Sequence, residues 1–381
     1  MRTTGLSLEF AILGNPKFIR SSLLTTNSRR LELLVLPWSL TVMAQTTATG
    51  FAMALPRLYL VLVLLIIGLY ASDAPAAPGD RWQYEWPKTD FTITSIDLAE
   101  IFSGGPPKDG IPSIDDPSFV AIEDAVLEDI EPVIGLNVGD DFRAYPLQVL
   151  MWHEIVNDVV GGVPVTVTFC PLCNASMVFD RRLDGQVLDF GTTGKLRNSD
   201  LVMYDRQTES WWRQFLGEAI VGSMTGKRLK LLPARIESFA NFRARAPQGK
   251  VLKPNFSLFR DYGRNPYEGY DSLSSPWLYK GDLPVDIAPL ARVVTVDGEA
   301  WSLDLLRKLG TIAKDDMVIS WEPGQSSALD TSIIAQGFDI GNVVVQRKTD
   351  GEVMEDIPYG VDFAFAFRAF YPDAPIHLEA P

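Results

Sequence analysis

Apolar and polar positions alternate over Val163-Pro-Val-Thr-Val-Thr-Phe169, the period of a half-buried strand. That predicted strand runs directly into Cys170-Pro171-Leu172-Cys173. Upstream, the apolar runs Val133–Val138 and Phe142–Tyr145 flank Gly139-Asp-Asp141 and predict a hairpin. Pro146 opens a predicted helix through Asn157, with Leu147, Val149, Leu150 and Ile155 as its apolar set. Gly161-Gly162 ends this element before the Val163 strand. Downstream, Ala175–Arg182 and Gln186–Phe190 flank Asp184-Gly185, a turn pair that predicts a second hairpin. Ser238–Arg245 predicts a short helix capped by the Ser238 hydroxyl.

The pattern then recurs in the same order. Arg292–Leu303 has the shape of Val133–Leu147, Val345–Val353 that of Phe179–Val187, and Phe367–Pro372 that of Phe242–Pro247. An ordered recurrence predicts an internal duplication; the competing reading is chance similarity among hairpins. The expected fold is α+β and β-rich, with two degenerate tandem copies of a β-hairpin/helix/strand/hairpin unit. Residues 111–284 form the first copy and 285–381 the second, with 75–110 as linker and lead-in. The second copy has Trp321-Glu-Pro-Gly-Gln325 where the first has Phe169-Cys-Pro-Leu-Cys173, so it lacks both thiols. The block from Gly191 to Leu232 has no counterpart in it.

The N-terminus reads differently. Leu58–Tyr70 is an apolar run of signal-peptide length behind Arg57, with small residues at Ala71, Ser72 and Ala74. Residues 53–74 are therefore expected to be a signal peptide, with an N-terminal membrane anchor through residues 58–71 as the alternative. Because the run begins so far from Met1, residues 1–52 read as a mis-called extension and Met53 or Met43 as a better start. The protein is expected to be exported, periplasmic or extracellular, and to contact a membrane only if this segment stays uncleaved. A formal net charge of −14 argues against a nucleic-acid partner.

Cys170 and Cys173 are the only two cysteines of 381 residues. Their C-x-x-C spacing suits a disulfide, a redox pair or half of a zinc site. If Cys170 ends the strand, Pro171 fits the first position of a helical turn, whose N–H groups would lower a thiol pKa. His153, in Trp152-His-Glu-Ile-Val-Asn-Asp158, leads into the cysteine strand and would tune a thiolate or move a proton; it reads equally as a structural histidine. Asp205 and Arg206 would orient a polar substrate, and Trp211 and Trp212 would stack on it or exclude water; the bland reading is an ion pair and buried aromatics. The candidate catalytic set is Cys170, Cys173, His153, Asp205 and Arg206, with no cofactor. In the alternative, His153, Cys170 and Cys173 hold zinc. Gly191-Thr-Thr-Gly194-Lys195 lacks the spacing and hydroxyl of a phosphate loop. Asn174-Ala-Ser176 and Asn255-Phe-Ser257 are glycosylation sequons by pattern.

Several ordered segments resemble the bacterial family called domain of unknown function 3179. They are Glu131-Pro-Val-Ile-Gly135, Ala144-Tyr-Pro-Leu147, Trp152–Asp158, Phe169–Cys173, Phe179-Asp-Arg-Arg182, Asn198–Ser210, Gly217–Gly222 and Arg260–Tyr270. The resemblance covers Ile111 to Tyr279 well and the remainder weakly. It implies no established activity. Some relatives are described as selenoproteins, which implies a redox role for the cysteine motif. This sequence has Asn174 where similar proteins usually have Gly. The expected function is an exported thiol–disulfide or peroxide-type oxidoreductase acting on an unknown small molecule or a thiol/disulfide partner. The alternatives are a zinc-binding hydrolase or metal-binding protein, and a non-catalytic binding module with a structural disulfide.

Overall fold

A computed structural model describes residues 79–380 except 80, 255–259 and 350–353. The signal-peptide segment lies outside the described residues, as do Asn255 and Ser257. Among the described residues, no helix is long and apolar enough to cross a membrane.

The described chain is β-rich, with four short α-helices and five small sheets of four or five strands arranged like the blades of a propeller. Blade I has the strand order Arg235–Ser238, Pro132–Val138, Asp141–Pro146, Lys250–Lys253, Ser118–Ala121. Blade II is Lys230–Leu231, Ala175–Asp180, Val163–Cys170, Ile155–Val160. Blade III is Ile101–Ser103, Phe190–Arg197, Asp200–Asp205, Trp211–Arg213, Glu218–Val221. Blade IV is Gly360–Phe363, Arg292–Val296, Glu299–Ser302, Ile376–His377. Blade V is Thr311–Lys314, Met317–Glu322, Asn342–Lys348, Met354–Asp356.

The expected first hairpin forms, with Val133 opposite Pro146 and Val138 opposite Asp141. The expected helix is shorter than its apolar pattern suggested. It spans Leu147–His153 and stops at Glu154, whose φ of 59° leaves helical space. Ile155–Val160 is a strand instead, because the β-branched Ile-Val-Asn-Asp-Val-Val run pairs with Val163–Cys170 and buries one face. No glycine marks that stop. The second hairpin is also shorter: only Arg182–Leu183 and Gln186–Val187 flank Asp184-Gly185, while Ala175–Asp180 is a central strand of blade II. The Phe239–Arg245 helix is capped as expected, the Ser238 side chain accepting from the Asn241 amide.

Blades I and IV share a construction. In each, a hairpin runs into a helix, and a later strand pairs beside the hairpin and runs into a second helix. The last strand pairs parallel to the second strand of the hairpin. Blades II and V likewise run as consecutive antiparallel strands. Blade III is formed by the stretch for which the sequence showed no counterpart, with Ile101–Ser103 along its edge.

One large apolar cluster joins four of the blades to the inner face of blade III. A second one holds the expected lead-in: Trp82, Trp86 and Phe91 are buried against Trp211 of blade III, the rings meeting edge-on at 5.0–5.3 Å. Blade II touches blades I, III and IV, which puts the end of the Val163–Cys170 strand where three sheets converge.

Candidate functional site

Val163–Cys170 alternates apolar residues with Pro and Thr as a half-buried strand would, yet from Val165 onward both its faces are covered, and it ends at Cys170. Pro171–Asn174 follows as a single turn closed by the Asn174 amide on the Pro171 carbonyl, 3.2 Å. Asn174 has φ 52°, the left-handed region that Gly usually serves. Its side chain compensates by donating to the Val361 carbonyl at 2.6 Å. That contact buries the Asn174 amide nitrogen and leaves no room for a glycan in the folded protein.

Both cysteines are unbonded thiols, 2% and 0% exposed. The Cys170 thiol points at the Ser199 carbonyl, 3.6 Å away. Asn198 and Ser199 take φ values of 54° and 63°, a tight turn that delivers Asp200 to the cysteines. One ligand atom each of Cys170, Cys173 and Asp200 lies within 4.8 Å of the other two. Asp200 Oδ2 accepts from the Phe215 amide at 3.0 Å, and among the described residues Oδ1 has no hydrogen-bond partner of proper geometry. Gln214, beside Phe215, ties blade III to blade II by donating to the Thr168 hydroxyl at 2.8 Å and the Ala175 carbonyl at 3.2 Å.

Burial governs the electrostatics. It pushes the Asp200 carboxyl up to about 8, with Asp362 adding to the rise. It lifts the Cys173 thiol well above its ordinary value, reinforced by Cys170, Asp200 and Asp362. The expected lowering of a thiol pKa by helical N–H groups is therefore corrected for Cys173: Pro171–Asn174 makes one turn and no helix follows it. Asp362 is raised to about 7 by the same desolvation. Arg213 favours the charged form of Asp200 only through space, being itself ion-paired to Glu218.

The irregular segment after Tyr267 covers the turn. The Tyr270 hydroxyl donates to the Leu172 carbonyl at 3.0 Å. The Ser199 hydroxyl donates to the Trp277 carbonyl at 2.5 Å, and the Trp277 ring lies 4.8 Å from that of Tyr270. From the other side, the Phe363 amide donates to the Cys173 carbonyl at 3.0 Å.

The remaining predicted site residues are engaged elsewhere. His153 is fully buried, its Nδ1 donating to the Pro112 carbonyl and its Nε2 accepting from the Tyr262 hydroxyl, both at 2.8 Å. The carbonyl can only accept, which fixes that tautomer. Burial lowers its pKa, and it does not belong to the cysteine–carboxylate group. Asp205 is a turn cap: it accepts from the Thr208 amide at 2.6 Å and the Trp212 indole at 2.9 Å. Arg206 binds Asp109 and Asp115 at 3.2 Å each and the Tyr204 hydroxyl at 3.0 Å. Trp211 and Trp212 are core aromatics. Gly191–Lys195 lies within a blade III strand, and the Lys195 amine pairs with Glu85 at 3.3 Å.

Sequence reasoning groups Asp205 and Arg206 with the cysteines, whereas Ser199 and Asp200, a few residues upstream, make that contact in the structure. It also passed over Glu154, buried with its carboxyl pushed up to about 8, and Asp362. Periodicity carries no signal for a buried acid. The adjacent left-handed pair Asn198-Ser199 is the nearest local sign that Asp200 sits on a built turn.

The chain belongs to the family described as "Protein of unknown function (DUF3179)", whose model matches residues 108–374. The match spans the block with the two cysteines and also the C-terminal half, beyond the stretch where the motifs resemble the family well. No curated protein and no solved structure matches this chain.

Proposed function

We propose that the Cys170–Cys173 turn binds a thiophilic divalent metal, zinc by its ligand types, through both thiolates and the Asp200 carboxylate. The observation that carries this is the convergence of these three ligand atoms within 4.8 Å, with Asp200 Oδ1 buried and unpartnered. A tetrahedral zinc site holds its ligand atoms roughly 3–4 Å apart, so the group needs only a small contraction. Two thiolates and a carboxylate suit a borderline-soft cation. A bound cation would also relieve the cost of burying acids that have no ion-pair partner. Asp200 takes the place first assigned to His153. Enclosure by Tyr270 and Trp277 supports metal binding over hydrolysis, which needs an open coordination position and a path for substrate.

The test is metal content of the purified protein by mass spectrometry, followed by zinc competition against a chromophoric chelator. One equivalent of zinc is expected, lost in Cys170→Ser, Cys173→Ser and Asp200→Asn. A wild-type protein that takes up no stoichiometric zinc, cadmium or cobalt would overturn the reading.

A second reading follows from the closeness of the two free thiols, whose sulfur atoms lie within 4.8 Å of each other. The pair can close to a disulfide, giving up two protons and passing two electrons to a disulfide or peroxide acceptor. A measured reduction potential and a metal-free resting state would favour it.

We further propose that the two halves are degenerate copies, supported by the matching strand orders of blades I and IV and of blades II and V. Blade III is then an insertion that brought Asp200 to the first copy. Export behind the Leu58–Tyr70 segment is proposed from sequence alone.

A further inference from the structure

Asp362 and Glu237 occupy equivalent places in the two halves. Glu237 lies opposite Val133, the hairpin residue paired with Pro146 just before the Leu147–His153 helix. Asp362 lies opposite Val293, paired with Ser302 just before the Leu303–Leu309 helix. Each carboxylate is followed by a seven-residue helix. In the first half, Arg245 at the end of that helix neutralises Glu237 at 2.5 Å. The same step of eight residues from Asp362 reaches Phe370, which is apolar and packs on Phe215 at 4.8 Å. The second half has kept the buried acid and lost its cation.

The surroundings of Asp362 show what it faces. It is 0% exposed. Among the described residues, neither oxygen makes a hydrogen bond of proper geometry, although the Thr295 hydroxyl is near enough to favour its charged form. Its two chain neighbours clamp the cysteine turn. The Val361 carbonyl accepts from Asn174, and the Phe363 amide donates to the Cys173 carbonyl. Its charge acts on both Asp200 and Cys173. An uncompensated buried carboxylate costs several kcal/mol as an isolated ion, so its retention beside two thiols and a second unpaired acid calls for a cation.

Resting on the metal-site reading above, we infer that Asp362, supplied by the C-terminal half, is the buried anionic group that completes the Cys170–Cys173–Asp200 site and biases it toward a doubly charged cation. It stands outside the three atoms that converge within 4.8 Å. It therefore acts as a positioning residue through its charge. The site is thereby built from both halves of the chain, and a first half alone would hold only part of it.

The experiment is zinc competition against a chromophoric chelator, with urea denaturation of the metal-free forms, on full-length wild type, Asp362→Asn and Phe370→Arg. Asp362→Asn should weaken zinc binding about 10- to 100-fold, the usual effect of removing a supporting group. Its metal-free form should be at least as stable as wild type, because an unpaired buried charge has been removed. A merely structural role would reverse this pattern, lowering metal-free stability and leaving zinc affinity intact. Phe370→Arg, which restores the cation found in the first half, should weaken zinc without touching any residue of the group; it serves if the asparagine variant folds poorly. Wild-type zinc binding with unchanged affinity in Asp362→Asn overturns this inference alone. Failure of the wild type to bind zinc overturns the metal site itself, and this inference with it.

Discussion

The Asn174 side chain donates to the Val361 carbonyl at 2.6 Å, joining residues 187 apart in the chain. This bond and the neighbouring one from the Phe363 amide to the Cys173 carbonyl hold Gly360–Phe363, an edge strand of blade IV, against the cysteine turn. The C-terminal half is thus a wall of the candidate site.

Asn174 carries two loads, a left-handed backbone and a buried hydrogen bond, and substitutions separate them. Asn174→Gly relieves the backbone and loses the bond. Asn174→Ala loses the bond and strains the backbone as well. The Ala variant should lose about 2–4 kcal/mol, combining an orphaned carbonyl with a left-handed non-glycine residue, and the Gly variant about half of that. Urea denaturation at fixed pH measures both; a Gly variant less stable than the Ala variant would contradict the assignment.

Glu154 makes a pH prediction. Its carboxyl is pushed up to about 8 by burial alone, whereas in the unfolded chain it titrates near 4.3 or so. Below the unfolded value both states are protonated and the group is neutral in its effect. As pH rises toward the folded value, the unfolded state ionises first, so stability falls through that window and then levels off. The slope approaches about 1.4 kcal/mol per pH unit for the one group. Asp200 and Asp362 add slopes of the same sign in metal-free protein. The lowered pKa of His153 acts oppositely, removing stability below its ordinary value near 6.5. Glu154→Gln isolates the acid: the variant should match wild type near pH 4 and exceed it by more than about 1 kcal/mol at pH 8. Parallel melting-temperature curves for the two proteins across this range would remove the basis for the prediction.

These cases also show what the sequence disclosed. The first hairpin, the Ser238 cap and the strand running into Cys170 were readable because each rests on a local pattern: alternation, an Asp-rich turn, a hydroxyl before a helix. The end of the helix at His153 was hidden because Glu154 breaks it with a left-handed backbone where no glycine gives notice. His153 was placed correctly on its helix, yet its bonds to Pro112 and Tyr262 are tertiary contacts that periodicity cannot reveal. Asp362 was invisible for the same reason. Along the strand it reads as an ordinary acid, and only packing shows that Glu237, at the matching place in blade I, has an arginine while Asp362 has none among the described residues.

Arg206 tests the boundary of the site. Its guanidinium is shared among Asp109, Asp115, Ser113 and Tyr204. Arg206→Gln should therefore leave zinc affinity and cysteine alkylation unchanged. Because the pair is about one-third exposed on each side of the Asp109 contact, the stability cost should be about 1 kcal/mol or less. A tenfold change in alkylation rate would instead draw Arg206 into the cysteine site.

Ser199 links the reactive atoms to their cover. Its carbonyl receives the Cys170 thiol and its hydroxyl holds the Trp277 carbonyl. With the thiols buried and Cys173 raised in pKa, alkylation of the native, metal-free protein requires local opening, and its rate follows the open fraction. Ser199→Ala removes one hydrogen bond from the closed state and leaves both cysteines in place. A bond worth about 1 kcal/mol corresponds to an open fraction about fivefold larger, so Cys170 should be alkylated about five times faster. If the proposed metal site holds, zinc should suppress the reaction in both proteins, because it would engage the thiolates whether or not the cover is fastened. Iodoacetamide labelling followed by peptide mass spectrometry resolves the two cysteines. Equal rates in the variant and the parent would mean that the opening which exposes the thiols does not involve the Trp277 segment. Faster labelling that persists under saturating zinc would mean that the metal binds away from Cys170.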